Sequence, residues 1–434
     1  MFNTFNFNEK IFAILFFILG LLLFFSSSAS NLIFYLIAIS SIVLIISTPQ
    51  KRSIIIKEVL TNRLVQIILL WLILLYASVL YSSGDFILQC ADKYKKYFLI
   101  PIIIYGIIYY REKNIHLNKL FLHGVINGGL LLFIMSISLK FSGLSQILLE
   151  KQYISYQKII NGGYIIPNDF FITSILYCII FSYAIQLIFE KKFTKGIPLL
   201  SISIFMVTFV LIQRTGYIAL LIMTICMLYN IIQSKKIKFI TILLVIASLL
   251  SMQFFAKNIL TERFAAIHNE YTQCSQALKN DANPNSKILQ KSCSLSIGLR
   301  TLYIHDSIQQ IKQSPIYGHG LGSSHILTID TTNYDKGIFT TRYSLNPHNE
   351  YLLQGIQLGI IGIILLIIIF TLTLKTALNL KDSNRNILIG IVLVYIVSCL
   401  FNSFLLDAME GIVFIMILST IVAINLVEKK GKPT

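Results

Sequence analysis

The sequence predicts an all-α polytopic membrane protein with about 12 transmembrane helices and a large polar loop before the tenth. Three observations carry this reading. Of 434 residues, 56% are hydrophobic and only 13% are charged, whereas a soluble chain carries about a quarter charged residues. Mean hydropathy is +0.75, and apolar runs near the length that crosses ~30 Å of hydrocarbon recur along the chain. The charges fall in short clusters between these runs, which is the pattern of membrane topology. The net charge of +17 therefore describes loops at a lipid surface, and nucleic acid is excluded as a partner.

The predicted spans cover about 11–25, 31–47, 64–81, 97–110, 120–139, 169–189, 197–212, 217–233, 238–254, 351–373, 387–404 and 411–427. Alternating the sides assigns 20 of the 36 Lys and Arg residues to the side of both termini and 7 to the opposite short loops. The remaining 9 lie in the long loop 255–350, and long loops cross largely regardless of charge. Both termini are thus expected to be cytoplasmic, with the long loop on the outer side. The chain divides into nine spans over 1–254, the loop subdomain 255–350 with amphipathic helices, and three spans plus a tail over 351–434. Ser26 to Ser30 faintly resembles a signal-peptide cleavage region. The weakly basic segment before it favours a retained first helix.

The outer loops hold the polar candidates. Asp92, Lys93, Lys95 and Lys96 are interleaved with Tyr94 and Tyr97; such a lip either anchors the interface or contacts a phosphate or sugar. The 140–168 segment, with Asn161-Gly162-Gly163 as a turn, is a second outer loop. Arg214 stands in the minimal connection Gln213-Arg214-Thr215-Gly216. A guanidinium beside the open N–H groups of a helix start is suited to an anion, although an interface arginine also snorkels there. In the long loop, Cys274 and Cys293 are positioned to close a disulfide in an oxidising compartment. A helix from about Ser296 to Gln313 places Arg300 on the stripe of Ile304, Ile308 and Ile311, where a cation is costly unless paired or anion-bound. Gly318, Gly320 and Gly322 form a turn.

The tenth span opens on Asn346-Pro347-His348-Asn349-Glu350. If the helix is continuous, Gly355, Gly359 and Gly362 share one face with His348, for close approach to neighbours. Asp407 and Glu410 occupy the last short outer loop, to orient another group or to cap the twelfth span. Arg214, Arg300 and His348 therefore gather on one side. Two fixed cations suit a diphosphate, and a histidine can take a proton from an attacking hydroxyl. This chemistry calls for no metal and no cofactor: the arginines stand in for a divalent ion, and a preactivated donor supplies the driving force.

These same motifs give the chain a family likeness. His348-Asn349 with Leu352, Gly359 and Gly362, Arg300 with Ser314-Pro315-Ile316-Tyr317-Gly318-His319-Gly320, and Arg214-Thr215-Gly216 resemble the O-antigen ligase/polymerase superfamily. The likeness is nearest to the lipopolysaccharide O-antigen ligases and covers roughly residues 200–425. It implies a metal-independent glycosyltransferase of the membrane-embedded C type in the bacterial inner membrane, with its active site periplasmic. The implied donor is an undecaprenyl-diphosphate-linked glycan and the implied acceptor is the lipid A–core oligosaccharide. By matching position, Arg214 and Arg300 would bind the donor diphosphate and His348 would be the catalytic base. Lys95, Lys96, Asn349 and Asp407 are possible auxiliaries. Oligosaccharide polymerases and protein O-oligosaccharyltransferases share the histidine helix, and a lipid-glycan flippase could use the same cations without chemistry. Transporters, however, more often keep ionisable groups near the midplane.

Overall fold

The structure is a computed structural model that describes residues 7–430 apart from 83, 114, 143–158, 161–163, 168–169, 212–213, 232–256, 281–290, 295 and 331–339. It is a helical bundle. Eleven of the predicted spans coincide with described helices; the ninth, 238–254, and most of the 140–168 loop lie outside the described residues. Among the described residues, seven helical stretches are long and apolar enough to cross a membrane: Ser27–Ser47, Arg63–Tyr81, Leu117–Phe141, Phe170–Phe189, Phe193–Leu211, Glu350–Leu378 and Ala408–Lys430. Shorter apolar helices run over Lys10–Leu22, Thr215–Tyr229 and Arg385–Ser398. Large apolar side chains such as Leu32, Ile39, Val43, Ile73 and Ile134 stay exposed on these helices, as expected of surfaces that face lipid.

In chain order the elements that frame the site are α1 (Phe7–Leu22), α2 (Ser27–Ser47), α3 (Pro49–Leu60), α4 (Arg63–Ala77), α5 (Ile87–Tyr94), α6 (Ile100–Glu112) and α7 (Leu117–Phe141). There follow α8 (Phe170–Phe189), α9 (Phe193–Phe205) and α10 (Arg214–Ile231). Between α10 and the tenth predicted span come α11 (Lys257–Asn280), α12 (Ser296–Gln313) and a hairpin that pairs Ile326–Asp330 with Thr340–Ser344. The last three helices are α13 (Glu350–Leu378), α14 (Arg385–Ser398) and α15 (Ala408–Lys430).

Cys274 of α11 is joined to Cys293 by a disulfide, their Cα atoms 4.8 Å apart. With Ala277, Leu302 and Leu327 they make a small separate core. Asp306 of α12 accepts the Leu327 N–H at 2.9 Å, which ties the hairpin to the helix. The expected apolar stripe of α12 is not its buried face: Ile304 is 45% and Ile308 40% exposed. Of that stripe only Ile311 packs inward, against Gly355, and the helix seats Tyr303 against Ile326 and Ile356.

α13 is not one straight helix. Gly359 has φ 65° and ψ −153° inside it, a conformation essentially reserved for glycine. In a straight α-helix Tyr351 and Phe370 would lie about 28 Å apart, yet their ring centroids are 6.2 Å apart. A Cβ on Gly362 would stand 2.6 Å from the carbonyl oxygen of Gln354. The segment 350–358 therefore folds back on 360–378, and the latter alone, at about 28 Å, is the right length for a crossing. The stripe of three glycines expected on a continuous face becomes a reversal, with Gly355 and Gly362 inside its angle.

The turn 314–322 holds this break open. The N–H groups of His319 and Gly320 donate to the carbonyls of Ile356 and Gln357 at 2.8 and 2.9 Å, and that of Ile360 donates to Pro315 at 2.8 Å. The main-chain groups that the broken helix would leave orphaned are thus satisfied by backbone from some forty residues earlier. Positive φ at Gly318, Gly320 and Gly322 lets the turn lie flat against α13 and the far end of α4, where the Leu321 N–H donates to Ser78 Oγ at 2.9 Å.

Candidate functional site

The loop before α13 fixes His348 by main-chain and side-chain contacts together. Its own N–H donates to Asn346 Oδ1 at 2.7 Å, and its φ of 52° is rare for a residue with a side chain. Asn349 then caps α13, accepting the Leu352 N–H at 3.0 Å, and donates through Nδ2 to the carbonyl of Leu400 at 3.1 Å. Such strain persists only where surroundings over-determine it, and it clusters at functional sites.

The imidazole stacks on Tyr303, centroids 5.6 Å apart and planes at 25°. Its Nδ1 lies 2.9 Å from Asn402 Oδ1, and Asn402 Nδ2 donates to Asp407 Oδ2 at 2.9 Å. A carboxylate only accepts, so it obliges the amide to turn its NH2 toward Asp407 and its oxygen toward His348. That oxygen in turn requires a proton on Nδ1, which leaves the lone pair on Nε2. The chain Asp407–Asn402–His348 therefore selects the tautomer in which Nε2 is a base. His348 keeps an exposed edge, but partial desolvation against these groups lowers its pKa; the Asn402 hydrogen bond opposes this and the charge of Arg300 adds to it. The structure thus brings Arg300, one turn before Tyr303 on α12, into electrostatic reach of the histidine.

The other predicted residues take different places. Arg214 is the first residue of α10, and its side chain lies outside the described residues. Lys95 is exposed and ion-paired with Asp92. Lys96 is buried, and its Nζ donates to the carbonyls of Asp407 and Ala408 at 2.6 and 3.1 Å. It is a prop for the loop that carries Asp407 rather than a lip residue open to a ligand. Asn349 caps and ties the helix start as described.

Asn402, Tyr303, Gln354 and Trp71 are not singled out from the sequence, and Glu350, named there only within the stretch that opens the tenth span, is fully buried. One carboxylate oxygen accepts from the N–H groups of Leu405 and Leu406 at 3.0 and 3.4 Å. The other accepts from Gln354 Nε2 and Tyr94 OH at 2.9 and 3.2 Å. Trp71 Nε1 completes the network, donating to Gln354 Oε1 at 2.9 Å. Glu350 therefore clamps the 399–407 connection, with Asn402 and Asp407 on it, to the start of α13. The only signal in the sequence is the acidic residue two places after the histidine.

The fold and this mouth define a multi-pass membrane protein with a tautomer-fixed histidine at one end of its bundle. Residues 199–367 match the family model described as O-antigen ligase. This match supports the O-antigen ligase/polymerase superfamily as the family of this chain, and with it an O-antigen ligase or polymerase type of function. The matched stretch includes α10, α12, the glycine turn, His348 and the Gly359 reversal. No curated protein matches the chain.

Proposed function

We propose that the protein is an O-antigen ligase, a glycosyltransferase of the bacterial inner membrane working on its periplasmic side. It transfers polysaccharide from an undecaprenyl-diphosphate donor to a hydroxyl of the lipid A–core oligosaccharide. The observation that carries this reading is His348, held as an Nε2 base by Asn402 and Asp407 and lying within the electrostatic reach of Arg300. In the reaction the acceptor oxygen forms a bond to the anomeric carbon while the bond from that carbon to the phosphate oxygen breaks. Nε2 takes the hydroxyl proton, and the electron pair leaves with the diphosphate. Arg300, joined by Arg214 at the start of α10, offers planar donors to the departing phosphates and offsets their charge without a metal ion.

The test is His348→Ala in purified full-length protein given lipid-linked glycan and lipid A–core. Removing a positioned base costs on the order of 10²–10⁴ in turnover, so transfer should fall by that factor while donor binding persists. Wild-type turnover in this variant would overturn the assignment. A deletion strain separates the ligase from its neighbours: core lipid bare of polymer supports the ligase, whereas single-repeat caps would make it a polymerase.

A further inference from the structure

At the opposite end of the bundle from His348, the start of α4 and the ends of α13 and α15 enclose a cleft of about 690 Å³, the size of a small-molecule site. Leu64, Leu372 and Leu426 line it, together with Arg63, Lys375, Lys381 and Lys429. Neighbouring cations at this end are paired: Lys51 with Glu112 at 2.9 Å, Arg111 with Asp382 at 2.8 Å, and Lys430 with Glu58 and Glu112. The four cleft cations have no carboxylate partner for their side chains among the described residues. Of the two acids of the cleft, Glu58 is ion-paired with Lys430 at 2.8 Å, while Glu428 accepts the Lys381 N–H at 2.9 Å and keeps its charge, so the cations still outnumber the acids.

Four like charges from three separate stretches converge on one concavity, a repulsive arrangement that an anion would relieve. The lining is mostly polar, but Leu64, Leu372 and Leu426 add apolar surface to it, for which a free inorganic ion has no use. A ligand that meets both conditions has a phosphate at the rim and hydrocarbon below it. We propose that this cleft binds the phosphate headgroup of an anionic phospholipid from the leaflet opposite the His348 mouth. The bound lipid would staple the ends of α4, α13 and α15 together, away from the transfer chemistry.

The experiment uses full-length protein in zwitterionic detergent, with retained lipid counted by native mass spectrometry during titration with phosphatidylglycerol. Phosphatidylcholine and inorganic phosphate serve as parallel arms. Phosphatidylglycerol should be retained over phosphatidylcholine. At about fivefold per cation, Arg63→Gln, Lys375→Gln and Lys429→Gln together should weaken its binding on the order of 100-fold. Lys375→Arg with Lys429→Arg should retain it, which shows that charge at these positions is what matters. His348→Ala should bind the lipid as wild type does, so this result stands apart from the catalytic assignment. Inorganic phosphate binding as tightly as the lipid would overturn the lipid as occupant and leave a free-anion site. Equal retention of both lipids, or unchanged phosphatidylglycerol binding in the triple variant, would overturn the proposal.

Discussion

Asp407→Asn isolates the selection of the histidine tautomer. In the wild type the Asp407 carboxylate accepts from Asn402 Nδ2 at 2.9 Å, and this alone decides which end of the Asn402 amide meets His348. An amide at position 407 offers either a donor or an acceptor, so Asn402 becomes free to flip. Its NH2 would then face Nδ1 and favour the tautomer protonated on Nε2, which cannot accept a proton from the acceptor hydroxyl. A hydrogen bond to a charged group contributes ~1.5–3 kcal/mol, and at ~1.4 kcal/mol per factor of ten its loss as a bias corresponds to about a 10- to 150-fold drop in kcat. Donor KM should move little, because Asp407 reaches the reaction only through Asn402. The assay is initial-rate kinetics of glycan transfer with varied donor, run on purified protein with its melting temperature recorded alongside. Wild-type kcat in Asp407→Asn, or a higher KM at unchanged kcat, would refute the relay.

The remaining predictions concern pH, the helix reversal and the disulfide. Because the pKa of His348 is lowered from its ordinary 6.5, its base form persists through neutral pH, and activity should fall only as pH drops below the usual imidazole range. Arg300→Gln removes a charge that opposes protonation, so the acid limb of kcat should move upward; a limb that stays put would separate Arg300 from the base. Gly359→Ala would force a side chain into φ 65° with its Cβ 2.4 Å from the backbone of Ile316. Strain of ~1–3 kcal/mol, before any clash, should appear as a lowered melting temperature and poor yield, and a wild-type melt would contradict the reversal. Cys293→Ser releases a loop whose closure contributes about 3 kcal/mol, so hydrogen exchange should quicken in α11 and α12 while the bundle helices keep their protection.

Much of the bundle is legible because a membrane span is written locally: a run of apolar residues between charged loops is enough. The site is less so. Periodicity places Gly359 on a stripe with Gly355 because it assumes a straight helix. The break exists only because Pro315 to Gly320, distant in the chain, supply its hydrogen bonds. The same limit hides the role of Glu350. Beside a helix start it reads as an ordinary acidic first turn, and its burial follows from Leu405 and Leu406, more than fifty residues later. Asn402 sits beside Ser403 in a short connection, and nothing local tells an acceptor for imidazole from a loop asparagine. His348 stands out in the sequence because it opens the tenth predicted span within Asn346-Pro347-His348-Asn349-Glu350. For α12, the isoleucine stripe misled because Ile304 and Ile308 stay exposed, while a tyrosine turns inward to stack on the histidine.

The reversal at Gly359 also sets a depth. Gln354, within the returning arm, is level with Trp71 near the middle of α4, while the glycine turn caps the same arm at the far end of that helix. The chain thus enters the bundle at its histidine, runs towards the end where the glycine turn sits, and reverses there. On the proposed reaction, a donor tethered by its polyprenyl tail could meet the base without lifting its diphosphate clear of the headgroups. The acceptor sugar would be the partner that has to lean down. Glycan length would then be indifferent to the enzyme, since everything beyond the first sugar extends upward into open water.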